Sequence, residues 1–226
     1  MKSFARTYKI NLDEMDLPLD KYKNLHEFFT RALKEEARTI DRTANTIVSP
    51  VDAVLEDSGI IREDSSFSVK GKDYSVEEML GGMREAEKYI GGSYMVLYLS
   101  PSHYHRIHSP IDGTVSRMKT LGKKSYPVNR WGMTMGKLPL SKNYREITEI
   151  EHNGRYLSVV KVGAMFVNSI ERTHKGNTLH KGEEIGYFSF GSTVVLLFEK
   201  QSVVQREYEQ LPVPLHVGEP IGYIKF

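Results

Sequence analysis

The sequence of 226 residues contains no cysteine. That excludes disulfides, thiolate nucleophiles and cysteine-ligated zinc or iron–sulfur sites together, so any chemistry must come from oxygen, nitrogen or a cofactor. Long apolar runs are missing as well. The longest, Tyr94 to Leu99, falls far short of the roughly 20 residues a helix needs to cross a bilayer. The opening Met1-Lys2-Ser3-Phe4-Ala5-Arg6 has neither the apolar stretch nor the small-residue cleavage site of a secretory signal, which makes cytoplasmic residence the default expectation. An excess of one charge is also lacking. Lys and Arg total 31 against 29 Asp and Glu, so nothing in the charge balance favours nucleic acid, and any attraction to a membrane must be local. With 39% hydrophobic and 27% charged residues the composition is that of a folded globular chain, long enough to bury a substantial core.

The first 45 or so residues are charged and helix-prone. Asn24 and Glu27 are spaced like a capping box, and Leu25, Phe28, Phe29, Ala32 and Leu33 recur at helical spacing, which predicts an amphipathic helix from Asn24 to about Glu36. A short helix is signalled by Ser75 to Gly81, with Ser75 as cap, Glu78 to answer it and Gly81 as stop. Beyond it, Tyr94–Ser100, Tyr156–Val162, Met165–Ile170, Ile185–Phe190 and Thr193–Glu199 are β-branched or aromatic runs bounded by Gly, Pro and Asn turns. No helix-length connection separates the later ones, so the expected fold is α+β: mostly antiparallel sheet, a sandwich or barrel-like hybrid, with an N-terminal helical segment. The expected division is a helical, membrane-proximal segment over 1–45 and a single β-rich domain over 46–226. Two echoes stand out. Gly182-Glu183-Glu184-Ile185-Gly186-Tyr187 recurs as Gly218-Glu219-Pro220-Ile221-Gly222-Tyr223, and Ser49-Pro50-Val51-Asp52-Ala53 as Ser109-Pro110-Ile111-Asp112-Gly113. Duplicated units and the reuse of similar residues in similar turns both account for them.

Three polar features are candidates for chemistry. His103, His105 and His108 crowd one segment; on an extended chain His103 and His105 share a face and His108 takes the other. No further metal-ligand motif accompanies them, so no metal is expected. Gly191-Ser192 interrupts a strand-like run, which fits either an ordinary bulge or a hydroxyl poised to attack the preceding carbonyl. Asp52, with Asp112 as its echo, is either a turn residue or the carboxylate that orients a histidine toward a serine. Spacing does not choose between these alternatives.

Taken together, the segments resemble the phosphatidylserine decarboxylases, pyruvoyl-dependent enzymes that make phosphatidylethanolamine. The resemblance is carried by Val48-Ser49-Pro50-Val51-Asp52, Val69-Lys70-Gly71-Lys72-Asp73-Tyr74, Tyr98-Leu99-Ser100-Pro101, Tyr104-His105-Arg106-Ile107-His108-Ser109-Pro110, Ser125-Tyr126-Pro127-Val128-Asn129 and Gly186 to Val195, in the family's order from about residue 20 onward. It implies a charge relay of Asp52, His108 and Ser192, used once to cut the chain between Gly191 and Ser192 into a longer chain, 1–191, and a shorter one, 192–226. Ser192 would become a pyruvoyl group, the covalent cofactor, which forms an imine with the substrate amine and takes up the electrons released with carbon dioxide. The resemblance also implies a role for His105 in the decarboxylation step. Two departures are local: Phe190 stands before the cleavage dipeptide where Leu is usual, and Ala53 follows Asp52 where Gly is usual.

The partners so implied are phosphatidylserine, the cytoplasmic face of the cell membrane as a peripheral surface, and the chain's own two fragments, with a homodimer suggested. Relatives commonly carry a further membrane-associating segment upstream; here Lys2, Arg6, Lys9, Phe4 and Tyr8 are the residues suited to an anionic interface. Two other readings compete. An uncleaved Ser-His-Asp hydrolase would use Ser192 on external esters, although Phe190-Gly191-Ser192-Thr193-Val194 lacks the Gly-x-Ser-x-Gly elbow. A non-enzymatic β-rich binding module would use the echoes as scaffold.

Overall fold

The structure is a computed structural model, and it describes residues 1–128, 133, 136–164, 170–189 and 191–225. Its strands in chain order begin with β1 (Thr46–Val48), β2 (Ala53–Ile60), β3 (Ser66–Val69), β4 (Lys72–Ser75), β5 (Ser93–Leu99), β6 (Arg106–His108), β7 (Gly113–Leu121) and β8 (Arg145–His152). They continue with β9 (Arg155–Gly163), β10 (Ile170–Arg172), β11 (Thr178–Leu179), β12 (Glu184–Phe188), β13 (Ser192–Phe198), β14 (Val203–Gln205), β15 (Val213–Leu215) and β16 (Pro220–Ile224). One large sheet runs β11-β7-β8-β9-β13-β5-β2-β15; small sheets β10-β12-β6 and β1-β16-β14 and the hairpin β3-β4 complete the set. The paired strands are antiparallel, as the short connections require. Among the described residues no sheet closes into a barrel. Of the predicted strand Met165–Ile170 only Ile170 lies within the described residues.

The large sheet is covered on both faces, which explains why its central strands β9 and β13 are buried and largely apolar on both faces rather than alternating with exposed polar residues. On one face Leu97, Val159, Val194 and Leu196 pack under Ile107, Ile185, Phe188, Ile47 and Ile221 of the two small sheets. On the other, Val96, Val160, Val195 and Leu197 pack against Phe67, Tyr74, Met79 and Tyr89, from the hairpin and the short helices that follow it. The predicted Ser75 helix is present as Val76–Leu80: Ser75 accepts from the Glu78 N–H at 3.1 Å, and Gly81 ends it in a left-handed conformation. The Glu78 carboxylate does not answer the cap but binds Ser141 and Lys142.

The helix expected from Asn24 to Glu36 is shorter, spanning Leu25–Phe29. Asn24 caps it as the sequence predicts, accepting from Glu27 N–H at 2.9 Å. At the other end the Thr30 hydroxyl turns back onto the His26 carbonyl at 3.0 Å, a local bond that competes with further helix. The chain then extends, and Leu33 bridges to Met15. The two adjacent phenylalanines consequently part. Phe28 joins Ala5, Ile10, Met15 and Tyr22 in a small N-terminal cluster, while Phe29 stacks on His105 with ring centroids 3.9 Å apart.

The sequence echoes are reproduced bond for bond. Ser49 donates to the Val51 carbonyl and Ser109 to the Ile111 carbonyl, both at 2.7 Å. The Gly218 N–H donates to Ser49 and the Gly182 N–H to Ser109, while Ser49 and Ser109 donate their own N–H groups to Glu219 and Glu183. The two motifs also grip each other, Val48 N–H to the Pro110 carbonyl and His108 N–H to the Pro50 carbonyl. Even the aspartates correspond: Asp52 accepts from the Val217 N–H and Asp112 from the Lys181 N–H, each at 2.9 Å. Gly182 and Gly218 both have positive φ, and the Ile40 side chain is wedged against both.

Gly218 therefore tests the packing of this pair of turns. A Cβ there would lie 2.5 Å from the Thr39 carbonyl oxygen and also carry the left-handed penalty, whereas at Gly71, also left-handed, it would meet nothing within 4 Å. Gly71→Ala should cost about 1 kcal/mol, the conformational term alone, and Gly218→Ala at least about twice that, compared by urea unfolding.

Candidate functional site

Ser192 is the first residue of β13 and pairs with Leu99 of β5 on one side and Gly163 of β9 on the other. Register is unbroken from Ser192 to Phe198 on both sides, so within the strand there is no bulge. Alternation puts the Ser192 side chain on the face of Val194, Leu196 and Phe198, beneath the small sheets. Its Oγ is buried without a hydrogen-bond partner among the described residues. One residue earlier, the Gly191 carbonyl accepts from the Ala164 N–H at 3.2 Å. The peptide group preceding Ser192 is thus fixed at its oxygen while the neighbouring hydroxyl is left uncommitted. Phe190, the family departure beside the dipeptide, lies outside the described residues.

His105 lies at the same end of the sheet. Its carbonyl accepts from the Phe188 N–H, and its Nε2 lies 3.1 Å from the carbonyl of Ser100, which directly follows Leu99, the partner of Ser192. A carbonyl only accepts, so Nε2 carries the proton and Nδ1 presents its lone pair. Nδ1 is buried and has no hydrogen-bond partner among the described residues. Complete burial, with the charges of Arg31 and His103 adding to it, holds the His105 pKa well below the usual histidine value. The result is a neutral imidazole with a free basic nitrogen. His103 is differently employed, accepting the Ser100 N–H on its Nδ1 at 3.1 Å.

His108 and Asp52 occupy the other end of β6. His108 ends β6 and pairs with Glu184; His105 lies just before the strand, three residues earlier, so the extended rise separates their backbones by about 10 Å. The His108 Nδ1 donates to the Gly182 carbonyl at 2.8 Å and its Nε2 accepts from the Tyr104 hydroxyl at 3.1 Å. Burial lowers its pKa, so it too is neutral near pH 7. Asp52 is bound by the Arg38 Nε at 2.9 and 3.1 Å and by the Val217 N–H, and Arg38 continues to Glu14 at 3.0 Å. Burial alone would raise the Asp52 pKa, but Arg38 and the Val217 N–H outweigh it and hold the carboxyl below 3.8. Arg38, Tyr104 and His108 line a pocket of about 200 Å³ together with Lys34 and Val217. The structure thus brings Asp52 and His108 to one rim and Ser192 and His105 to one sheet end, with no hydrogen bond among the Asp52, His108 and Ser192 side chains.

Arg38 and Arg31 are the residues that sequence reasoning passed over. Both sit in a run of mixed charge whose helical spacing pointed elsewhere, and no local pattern marks one arginine among its neighbours as buried. Among the described residues no group of three or more His, Asp or Glu side chains is placed to hold a metal ion.

The correspondence between Asp52 and Asp112 separates turn from ion pair. Both accept the same backbone bond, but the Asp112 side chain is 61% exposed and that of Asp52 4% and locked to Arg38. Asp112→Asn should cost under about 1 kcal/mol, and Asp52→Asn about 2–4 kcal/mol, because it strands a largely buried guanidinium. Since the Asp52 pKa is lowered by folding, its contribution is full above pH 3.8 and is lost only as pH falls through the depressed value. Unfolding midpoints of the two variants at pH 7 would check the order.

Comparison with known proteins supplies the wider context. The phosphatidylserine decarboxylase family model matches residues 25–226. A phosphatidylserine decarboxylase proenzyme from a Geobacillus species is 58% identical over 223 residues, covering 99% of this chain and 86% of the relative. Proteins of the same name from Geobacillus kaustophilus and Bacillus cereus are each 55% identical, covering 99% and 97% of this chain and 84% of each relative. With the ordered motifs, the two-faced sheet and the buried Ser192 after Gly191 in place, the chain belongs to the phosphatidylserine decarboxylase family.

Proposed function

We propose that this protein converts phosphatidylserine to phosphatidylethanolamine and carbon dioxide, using a pyruvoyl group that it makes from its own Ser192. The observation that carries this reading is the uncommitted, fully buried Ser192 hydroxyl beside a carbonyl held by the Ala164 N–H. In the uncleaved chain such a hydroxyl is buried beside its own peptide carbonyl and faces no external ester, which disfavours the hydrolase alternative. Ser192 Oγ attacks the Gly191 carbonyl carbon, and the Ala164 N–H faces the oxygen on which negative charge develops. The serine proton passes to His108, with Asp52 holding the imidazolium. For this relay His108 exchanges its resting bonds to Tyr104 and Gly182, and Asp52 its clamp from Arg38. The C–N bond gives way to an ester; elimination leaves a carboxylate on Gly191 and a dehydroalanine, and water then displaces the nitrogen as ammonia.

The buried, neutral surroundings of Ser192 fit the group so formed, whose chemistry is to bind the substrate amine and accept the electrons freed with carbon dioxide. In the same reading His105, with a basic Nδ1 at this sheet end, moves the proton that takes the place of the lost carboxylate. Phe29 stacked on its ring and the Ser100 carbonyl on Nε2 fix the direction from which it acts.

For a lipid substrate we further propose peripheral docking on the cytoplasmic face of the membrane through the N-terminal segment. Lys2, Arg6 and Lys9 surround a pocket floored by Ala5, Ile10 and Leu19, while Tyr8, Leu12 and Leu17 are exposed nearby. No helix among the described residues is long and apolar enough to span a bilayer.

Two experiments test these readings. Intact mass under denaturing conditions should show two chains, the smaller holding the 35 residues from Ser192 to Phe226 and about 17 Da lighter than a serine-started peptide. Ser192→Ala should remain one chain of 25.9 kDa. A wild-type chain that stays whole and reacts with a fluorophosphonate would return the hydrolase. Replacing Lys2, Arg6 and Lys9 by Ala should reduce sedimentation with phosphatidylserine vesicles at low salt by about tenfold or more, at roughly 1 kcal/mol per basic residue; unchanged sedimentation would remove the segment from the interface.

A further inference from the structure

Arg31 is 4% exposed and has no carboxylate within ion-pair distance among the described residues. Its Nη2 donates to the carbonyls of Ser102 and His103 at 3.1 and 3.2 Å, whereas Nε and Nη1 are buried with no hydrogen-bond partner among the described residues. The contrast with Arg38 is direct, since that guanidinium is matched by Asp52 and Glu14. Burial lowers the Arg31 pKa, but an arginine does not surrender its proton to relieve the cost. Leaving a charged donor buried and unmatched is among the most expensive arrangements a fold can hold, which points to an anion not supplied by this chain.

The location narrows the choice of anion. Arg31 binds two carbonyls of the turn of residues 100–105, and His105 binds the Ser100 carbonyl in that same turn. Both are held by neighbouring side chains of one short helix: Phe29 stacks on His105, and the Arg31 guanidinium lies 5.5 Å from the Phe28 ring centre. The charge therefore stands behind the sheet end where Ser192 begins its strand. Resting on the decarboxylase reading above, we infer that Arg31 receives the phosphodiester of the substrate headgroup. In a phosphoserine headgroup this anion is only a few bonds from the amine. The other anion, the carboxylate, is the poorer candidate, because a cation bound to it stabilises the charge that must disappear as carbon dioxide leaves and so lowers the ground state more than the transition state.

The assignment predicts recognition of phosphodiester that is independent of carboxylate. Calorimetric titration of the purified protein with glycerophosphoethanolamine, which has the phosphodiester and no carboxylate, should show binding that Arg31→Met weakens about 10- to 100-fold, the range of a charge-assisted hydrogen bond or two. Free serine, which has the carboxylate and no phosphate, should bind Arg31→Met and unaltered protein alike. With short-chain phosphatidylserine, Arg31→Met should raise KM by a similar factor with kcat changed much less, and Arg31→Lys should recover part of the loss. Serine binding that depends on Arg31 would move the residue to the carboxylate and overturn the proposal. Equal loss for both ligands, or a fall in kcat at constant KM, would make Arg31 a brace for the turn and overturn it as well. Should Arg31→Met fail to fold, Arg31→Lys decides by the same pair of ligands, with weakened phosphodiester binding and unchanged serine binding expected. Carbon dioxide release by the unaltered protein stands apart: its absence would count against the decarboxylase reading, while the titrations still decide for Arg31.

Discussion

The structure depends on one strand lying between two others. β13 is paired along its whole length, Ser192 to Phe198, with β5 on one side and β9 on the other, and every one of its side chains is buried. A backbone segment so placed has its hydrogen-bonding groups matched alternately by one neighbour and the other, and its side chains packed against both cores. The Gly191-Ser192 dipeptide sits at the entrance to this strand. Its serine inherits the strand's rigidity and its burial. The 35 residues from Ser192 onward are too few to fold alone, yet they include β13 to β16, which are laced to β5, β9, β2 and β1. A cut before Ser192 therefore severs the chain without dividing the sheet.

Burial also sorts the titratable groups into two kinds. His105 and His108 respond to it by losing their charge, and they are left as neutral rings with defined tautomers, suited to moving protons. Arg31 and Arg38 cannot respond in that way and must be matched instead, Arg38 by two carboxylates and Arg31 by carbonyls on one nitrogen only. The same low-dielectric interior thus makes bases of one residue type and fixed anion receptors of the other.

Much of the sheet was legible because strand patterns are local. Tyr94–Ser100, Tyr156–Val162 and Thr193–Glu199 lie within a residue of β5, β9 and β13, and the Ser75 and Asn24 caps behave as their spacing indicates. The helix through Glu36 failed because apolar periodicity cannot see the Thr30 hydroxyl folding back onto the His26 carbonyl or Leu33 reaching Met15. At the site, residue types and motif order singled out Asp52, His105, His108 and Ser192. Their distribution over two ends of β6 was not legible, since it follows from how β6 pairs with β12 and not from the spacing of the histidines. The arginines were hidden for a different reason: their burial is decided by segments far away in sequence, Ser102 for Arg31 and Asp52 for Arg38.

The paired turns around Ser49 and Ser109 are alike in backbone, in seryl bonds, in glycines and even in their aspartates, and Ile40 reaches into both. Symmetric frameworks have no preferred half. What distinguishes them is a strand-free stretch outside the repeat: the residues before β1 lay Arg38 against Asp52 and leave Asp112 to solvent. Polarity in this molecule is thus conferred by its least regular segment, which selects one of two equivalent corners and gives it a charge of its own.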